Sequence, residues 1–154
     1  MRTILLTVSV ALAACSPVAN ANDSANLPFD SKAVATLDEP WAMTFLPGSG
    51  VETTTMMLVS EKKGRIQLVE TKSGKMVPVS GVPQPAYGGQ GGFGDVVADP
   101  GFAGNRLIWM SWVETGDGGK GAVVGKARID LSNLAAPKLE PVEIVWRQSP
   151  KVAG

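Results

Sequence analysis

The stretch Gly88-Gly-Gln-Gly-Gly-Phe-Gly-Asp95, followed by Val96-Val-Ala-Asp-Pro-Gly-Phe102 and then Arg106-Leu-Ile-Trp-Met-Ser-Trp112, governs the reading of this chain. A glycine-dense segment with one long polar side chain, Gln90, runs into two apolar runs separated by an Asp-Pro-Gly turn. Short β-branched and aromatic runs bounded by turn residues read as strands. The segment therefore reads as a ligand-facing loop on a β scaffold. Twelve of the eighteen glycines lie between Gly88 and Gly125, which gathers backbone freedom, and room for a ligand to approach the main chain, in one region. Gly89 to Gly94 also satisfies G-x-G-x-x-G. The dinucleotide fingerprint follows a strand and opens a helix; here a strand follows, so that reading is rejected.

Working outward, the region from Thr36 to the end holds no convincing helix, because Pro or Gly interrupts nearly every window long enough for one. Strands are predicted at Trp41–Phe45, Met56–Ser60, Arg65–Glu70 and Lys75–Val79. Between them lie turns at Pro47-Gly-Ser-Gly50, Lys62-Lys-Gly64 and Lys72-Ser-Gly74. The pattern then repeats: Phe93–Ala98, Leu107–Val113, Val123–Ile129 and a strand within Leu139–Trp146, with Thr115–Gly121 as a flexible loop. Two successive four-stranded antiparallel meanders match blades of a β-propeller. Ala42, Gly94 and Ala98 suit a crowded inner strand, and Lys75 and Glu140 an outer edge. A β-sandwich is the rival, since eight strands suit it too. If the repeats are blades, two do not close a ring, for propellers hold at least about four. The chain then reads as the opening part of a larger protein.

The N-terminus belongs to neither repeat. Met1-Arg2 is a short positive start and Thr3–Ala14 a mostly apolar run of twelve, too short to span a membrane and suited to a signal peptide. Leu12-Ala-Ala-Cys15 resembles the bacterial lipobox, whose cysteine is lipidated. A lone cysteine has no internal disulfide partner. The alternative is ordinary cleavage after Ala19-Asn-Ala21. Ser16 after the cysteine favours the outer membrane by resemblance to Gram-negative lipoproteins. The expected organisation is a lipoprotein signal over residues 1–14, a tether over 15–35 and a propeller portion over 36–154. The expected location is the periplasm, with the lipid as the sole membrane attachment. Asn22-Asp-Ser24 formally matches a glycosylation acceptor, which a bacterial tether makes moot.

Without residues 1–14 the chain carries 13 basic and 14 acidic side chains. No basic patch suits a phosphate backbone, so no nucleic-acid partner is expected. The chain has no histidine, and no nucleophile–base pair can be built. Gln90 carries an amide that donates and accepts, which suits a hydroxyl-rich or quinone ligand; the plainer reading is a solvated glutamine in a mobile loop. Asp99 reads as a turn residue capping its own backbone, and Asp95 as a structural hydrogen-bonding group before a site residue. Asp117 alone falls far short of the roughly six to eight oxygens calcium takes. Trp41, Trp109, Trp112 and Trp146 read as packing residues between blades, and Lys62 and Lys63 as a solvated turn. In propeller geometry Ser60–Gly64, Val82–Gly92 and Thr115–Gly121 all lie at one mouth of the channel.

Five segments carry a family resemblance: Leu37-Asp-Glu-Pro-Trp-Ala-Met-Thr-Phe-Leu-Pro47, Gly64-Arg-Ile-Gln-Leu-Val69, Gly89-Gln-Gly-Gly-Phe-Gly-Asp95, Asp99-Pro-Gly-Phe-Ala103 and Val145-Trp-Arg-Gln-Ser-Pro150. Together the region Trp41–Gly154 resembles the glucose/sorbosone dehydrogenases, the soluble quinoprotein aldose dehydrogenases. The resemblance implies a six-bladed propeller binding pyrroloquinoline quinone (PQQ) and calcium, and oxidation of the anomeric carbon of an aldose to a lactone with hydride passing to the quinone. It implies that the catalytic histidine, the quinone clamp and the calcium ligands come from later blades. These 154 residues alone are accordingly expected to be inactive. One functional residue carries over: Gln90 takes the place of the glutamine that lines the sugar and quinone pocket. Phe93 stands where leucine is usual, a mild apolar change. The sequence names no electron acceptor and no particular aldose. The competing reading is a non-catalytic propeller lipoprotein that binds a sugar or a partner protein.

Overall fold

The computed structural model describes residues 28–47 and 56–153. The signal segment, Cys15, most of the tether and the Gly48–Gly50 part of the first turn lie outside the described residues. All named strands fall in the unit Ala33–Gly154.

Two antiparallel sheets form in chain order. The first comprises β1 (Pro40–Phe45), β2 (Met56–Glu61), β3 (Arg65–Glu70) and β4 (Met76–Pro78), ordered as in the sequence. The second comprises β5 (Phe93–Ala98), β6 (Leu107–Gly116), β7 (Gly119–Asp130), β8 (Lys138–Leu139) and β9 (Glu143–Arg147). It runs β5-β6-β7, with β8 and β9 both paired to β7. The eighth strand expected within Leu139–Trp146 is thus two pieces. Pro141 lacks the N–H a ladder needs, and the chain leaves β7 there before rejoining it at Glu143.

Two further expectations are corrected. Phe102–Asn105 forms one helical turn, α1, where no helix was foreseen. Asp99 sets it up, because its Oδ1 accepts from the Gly101 N–H and from Asn105 Nδ2, both at 2.8 Å. Thr115–Gly121 is a tight hairpin and no flexible loop: Thr115 pairs with Lys120 and Gly116 with Gly119, leaving Asp117-Gly118 as a two-residue turn. Its glycines answer to packing. The segment Gln148–Val152 crosses the hairpin, with Lys120 and Val152 exchanging N–H···O bonds at 2.8 and 2.9 Å. A side chain at Gly119 would collide with the Val152 carbonyl.

The sheets pack face to face. Leu46, Leu58, Ile66 and Leu68 meet Val96, Phe102, Ile108, Met110, Trp112, Val123 and Ile129 in one buried cluster. In β3, β6 and β7 the buried members, such as Ile66 and Leu68 or Ile108, Met110 and Trp112, fall at alternate positions and so on one face, the period-two pattern of a strand. Phe93 stacks on Trp112 with centroids 6.3 Å apart, so the phenylalanine that replaces leucine is absorbed by the core. The other face of the first sheet buries Met57, Val59 and Val69 beneath Ala35 and Leu37. Trp41, Met43 and Phe45 of β1 stay more than half exposed, as does Trp146 on β9. Of the four tryptophans expected to pack, only Trp112 is buried. Trp109 is half-buried and donates from Nε1 to Asp99 Oδ2 at 2.9 Å.

Candidate functional site

Each sheet's innermost strand is kinked at the same end. In β1 the register slips between Pro40 and Ala42, and in β5 between Phe93 and Val96. Such bulges redirect the side chains of the bulged strand. In both sheets a serine of the next strand accepts the N–H the bulge releases: Ala42 N–H to Ser60 Oγ at 3.1 Å, and Asp95 N–H to Ser111 Oγ at 3.0 Å. Trp41 and Asp95 are set at these bulges, at the edge of a cleft of about 270 Å³ also lined by Lys62, Gln90 and Ser111. The Asp95 carboxylate is exposed and takes no hydrogen bond from the described residues. Its expected structural bond is made by its backbone instead, because the bulge turns the side chain outward.

Gln90 sits in a hydrogen-bonded turn. Gly88 and Gly91 exchange N–H···O bonds at 3.1 and 2.9 Å, closing a two-residue turn over Gly89-Gln90. Gly89 has φ +56° at the first central position, the place a type II′ turn reserves for glycine. The turn is pinned on both flanks. Val113 N–H donates to Gly92 O at 2.9 Å, Ala86 N–H donates to Val113 O at 2.7 Å, and Phe93 N–H donates to Lys62 O at 2.8 Å. The Gln90 side chain is exposed at the tip and makes no hydrogen bond among the described residues. It borders the first cleft and a second, of about 590 Å³, formed with Val113, Lys120, Gly121, Gln148 and Val152. The three segments assigned to one mouth therefore do meet there, the third through Lys120 and Gly121.

Lys62 and Lys63, read as a solvated turn, are both engaged. Lys62 Nζ donates to Gly89 O at 2.6 Å. Lys63 lies 3.0 Å from Asp38 and 3.5 Å from Glu39, and Arg65 bridges Asp38 and the buried Glu61, each at 2.6 Å. Burial pushes the Glu61 carboxyl up. Hydrogen bonds from Asp38 N–H, Gln67 and Arg65 outweigh that and leave it below its ordinary value. Asp38 lies 23 to 27 residues from Glu61, Lys63 and Arg65, so the sequence offered no local signal for those ties, whereas Arg65 and Gln67 lie four and six residues from Glu61.

Among the described residues no three His, Cys, Asp or Glu side chains are grouped to hold a metal ion. Asp117 sits at the hairpin tip without such companions. At the other end of β6 a cleft of about 390 Å³ is lined by Arg106, Arg128, Asp130 and Glu140. Its charges serve the fold: Arg128 donates to Asn105 O at 2.7 Å, and Asp130 is bound by Ser132 N–H at 2.9 Å and Lys138 at 3.5 Å. No helix among the described residues is long and apolar enough to cross a membrane.

Comparison with known proteins agrees with this layout. The sequence model of the glucose/sorbosone dehydrogenase family matches residues 37–154. The aldose sugar dehydrogenase YliI of Escherichia coli (strain K12) is 41% identical over 120 residues, covering 76% of this chain and 30% of the relative. A crystal structure of a glucose dehydrogenase superposes with a TM-score of 0.65 at 38% identity, over 75% of this chain and 32% of that one. A PQQ-bound aldose sugar dehydrogenase from Streptomyces coelicolor shares the fold, with a TM-score of 0.60 at 24% identity, over 78% and 34% of the two chains. The chain spans about a third of the length of these relatives.

Proposed function

This chain belongs to the glucose/sorbosone dehydrogenase family and forms two blades of its β-propeller, and from that premise we propose that it is the opening portion of a quinoprotein aldose dehydrogenase. The reaction is oxidation of the anomeric carbon of an aldose to a lactone. When bound, PQQ supplies a two-electron acceptor for the hydride leaving that carbon. The chain's own contribution is one wall of the pocket. The observation that carries the reading is Gln90, whose amide has no hydrogen-bond partner among the described residues, held at the tip of a pinned turn between two clefts. Its carbonyl accepts from a sugar hydroxyl and its NH₂ donates to a sugar or quinone oxygen.

The residues present fit one edge of such a ligand and no more. A proton must leave the anomeric hydroxyl as hydride leaves the carbon, and this chain has no histidine to take it. The base and the quinone clamp are assigned to other blades, and the 154 residues alone are expected to be inactive. Calcium remains an expectation from the family; the described residues supply no ligand set for it, and no step is drawn through it. The protein is placed in the periplasm on a lipid at Cys15, a reading that rests on Leu12-Ala-Ala-Cys15.

The test is Gln90→Ala in the full-length protein. Loss of hydrogen bonds to the reacting sugar is expected to lower kcat/KM roughly ten-fold, with the thermal midpoint unchanged. Unchanged kinetics would remove Gln90 from the site.

A further inference from the structure

The glycine turn of the second blade is held by a residue of the first. Lys62 touches it three times: Nζ donates to Gly89 O at 2.6 Å, its carbonyl accepts from Phe93 N–H at 2.8 Å, and its stem lies over Gly92. A Cβ added at Gly92 would stand 2.5 Å from Lys62 O and 2.6 Å from Lys62 Cγ. Gln90 lies between these points of attachment.

A peptide group is planar, so the Gly89 carbonyl and the Gln90 N–H are two ends of one plate. In a two-residue hairpin turn this central plate is not part of the closing ladder. Rotating it by half a turn converts a II′ arrangement into I′ and demands φ > 0 at the second central residue. Such a rotation would carry the Gly89 carbonyl oxygen to the other side of the turn and crowd it against the Gln90 Cβ, which leaves the side chain less room to keep its present direction. The glutamine backbone already disfavours that state. The charge-assisted bond from Lys62 adds to the preference, since such bonds are the stronger class.

The backbone that carries Lys62 is itself braced. Lys62 N–H donates to Glu39 O at 3.0 Å. Lys63 and Arg65, on either side of Gly64, are tied to Asp38, and Arg65 also to Glu61. The hairpin that carries Lys62 is thus anchored to the segment leading into β1. We infer that Lys62 is a positioning residue for Gln90: it fixes the Gly89–Gln90 peptide and thereby the direction in which the Gln90 amide meets the ligand. This rests on the ligand role proposed for Gln90.

The experiment is a double-mutant cycle in the full-length enzyme, comparing Lys62→Met, Lys62→Arg, Gln90→Ala and the Lys62→Met/Gln90→Ala pair. Lys62→Met is expected to lower kcat/KM for the aldose roughly five-fold, the factor set by a hydrogen bond worth about 1 kcal/mol. Lys62→Arg keeps an N–H donor and is expected to stay within about two-fold of the parent by the same reasoning. In the Gln90→Ala background Lys62→Met should have no further effect, because a positioning residue has nothing left to position. A silent Lys62→Met beside an impaired Gln90→Ala would overturn the inference and leave the role of Gln90 standing. So would effects that simply multiply, or a failure of arginine to rescue. A silent Gln90→Ala would overturn both.

Discussion

The hydroxyl of Ser60, fully buried, donates to the carbonyl oxygen of Gly94 at 2.7 Å and ties the two blades together at their bulged inner strands. Ser60 Oγ also accepts the Ala42 N–H at 3.1 Å, so one side chain settles two main-chain groups. Ser60→Ala leaves both without this partner in a part-buried interface. The expected loss is about 1–3 kcal/mol of unfolding free energy, measured by urea denaturation. Serine at 111 performs the matching task in the second blade only for Asp95 N–H, so Ser111→Ala is expected to cost less.

Glu61 yields a pH dependence. Both of its oxygens accept: Oε1 from Asp38 N–H at 2.6 Å, and Oε2 from Arg65 Nε at 2.6 Å and Gln67 Nε2 at 3.0 Å. Although burial raises its pKa, these bonds hold it below the ordinary value when folded. The Asp99 carboxyl is lowered as well, chiefly by Trp109, then by Asn105 and Gly101 N–H. Carboxylates depressed in the folded state add stability above their unfolded pKa, near about 4, and lose it as pH falls through and below that range. Stability is therefore expected to be level at neutral pH and to drop on acidification below about pH 4.5. Glu61→Gln should shallow that acid slope. It should also cost roughly 1–3 kcal/mol at pH 7, because the glutamine NH₂ must face one of three donors.

Two glycines near the mouth should respond differently to alanine. Gly89 has φ +56° with open space around it, so Gly89→Ala carries only the backbone penalty of a positive-φ turn position, about 1–3 kcal/mol. Gly119 combines φ +131° with the Val152 carbonyl where a Cβ would stand. Gly119→Ala must displace Gln148–Val152 from the hairpin. The expected signature is fast amide exchange at Lys120 and Val152, which now bond each other. Retained protection at both amides would contradict this packing account.

Membrane attachment is expected to depend on Cys15. The full-length protein should fractionate with outer membranes, and Cys15→Ser should release it into the periplasmic fraction. Identical fractionation of the two would favour cleavage after Ala21.

Much of the fold was legible because its cause is local. Alternating apolar residues in Arg65–Glu70 and the Asp99-Pro-Gly101 turn announce themselves in a few residues, and the repeat of two meanders gave the blades. The broken fourth strand of the second blade could have been read at Pro141. The hairpin at Asp117-Gly118 was hidden by its glycines, which looked like freedom and serve the close passage of Lys151-Val152. The turn that carries Gln90 was readable from the glycines around it. Its tethering was not, since that comes from hydrogen bonds to Lys62 and Val113, brought in by the tertiary fold. The outward turn of Asp95 follows from a bulge whose one sequence signal is Gly94 inside a strand pattern.

Aldose-dependent dye reduction by the purified full-length protein, followed with and without added PQQ while calcium is held constant, tests the central proposal most directly. The expected result is no turnover without quinone and saturable turnover with it, yielding the lactone. Absence of any quinone-dependent rate across a panel of aldoses would contradict the enzyme reading and leave a propeller that binds a sugar or a protein without transforming it.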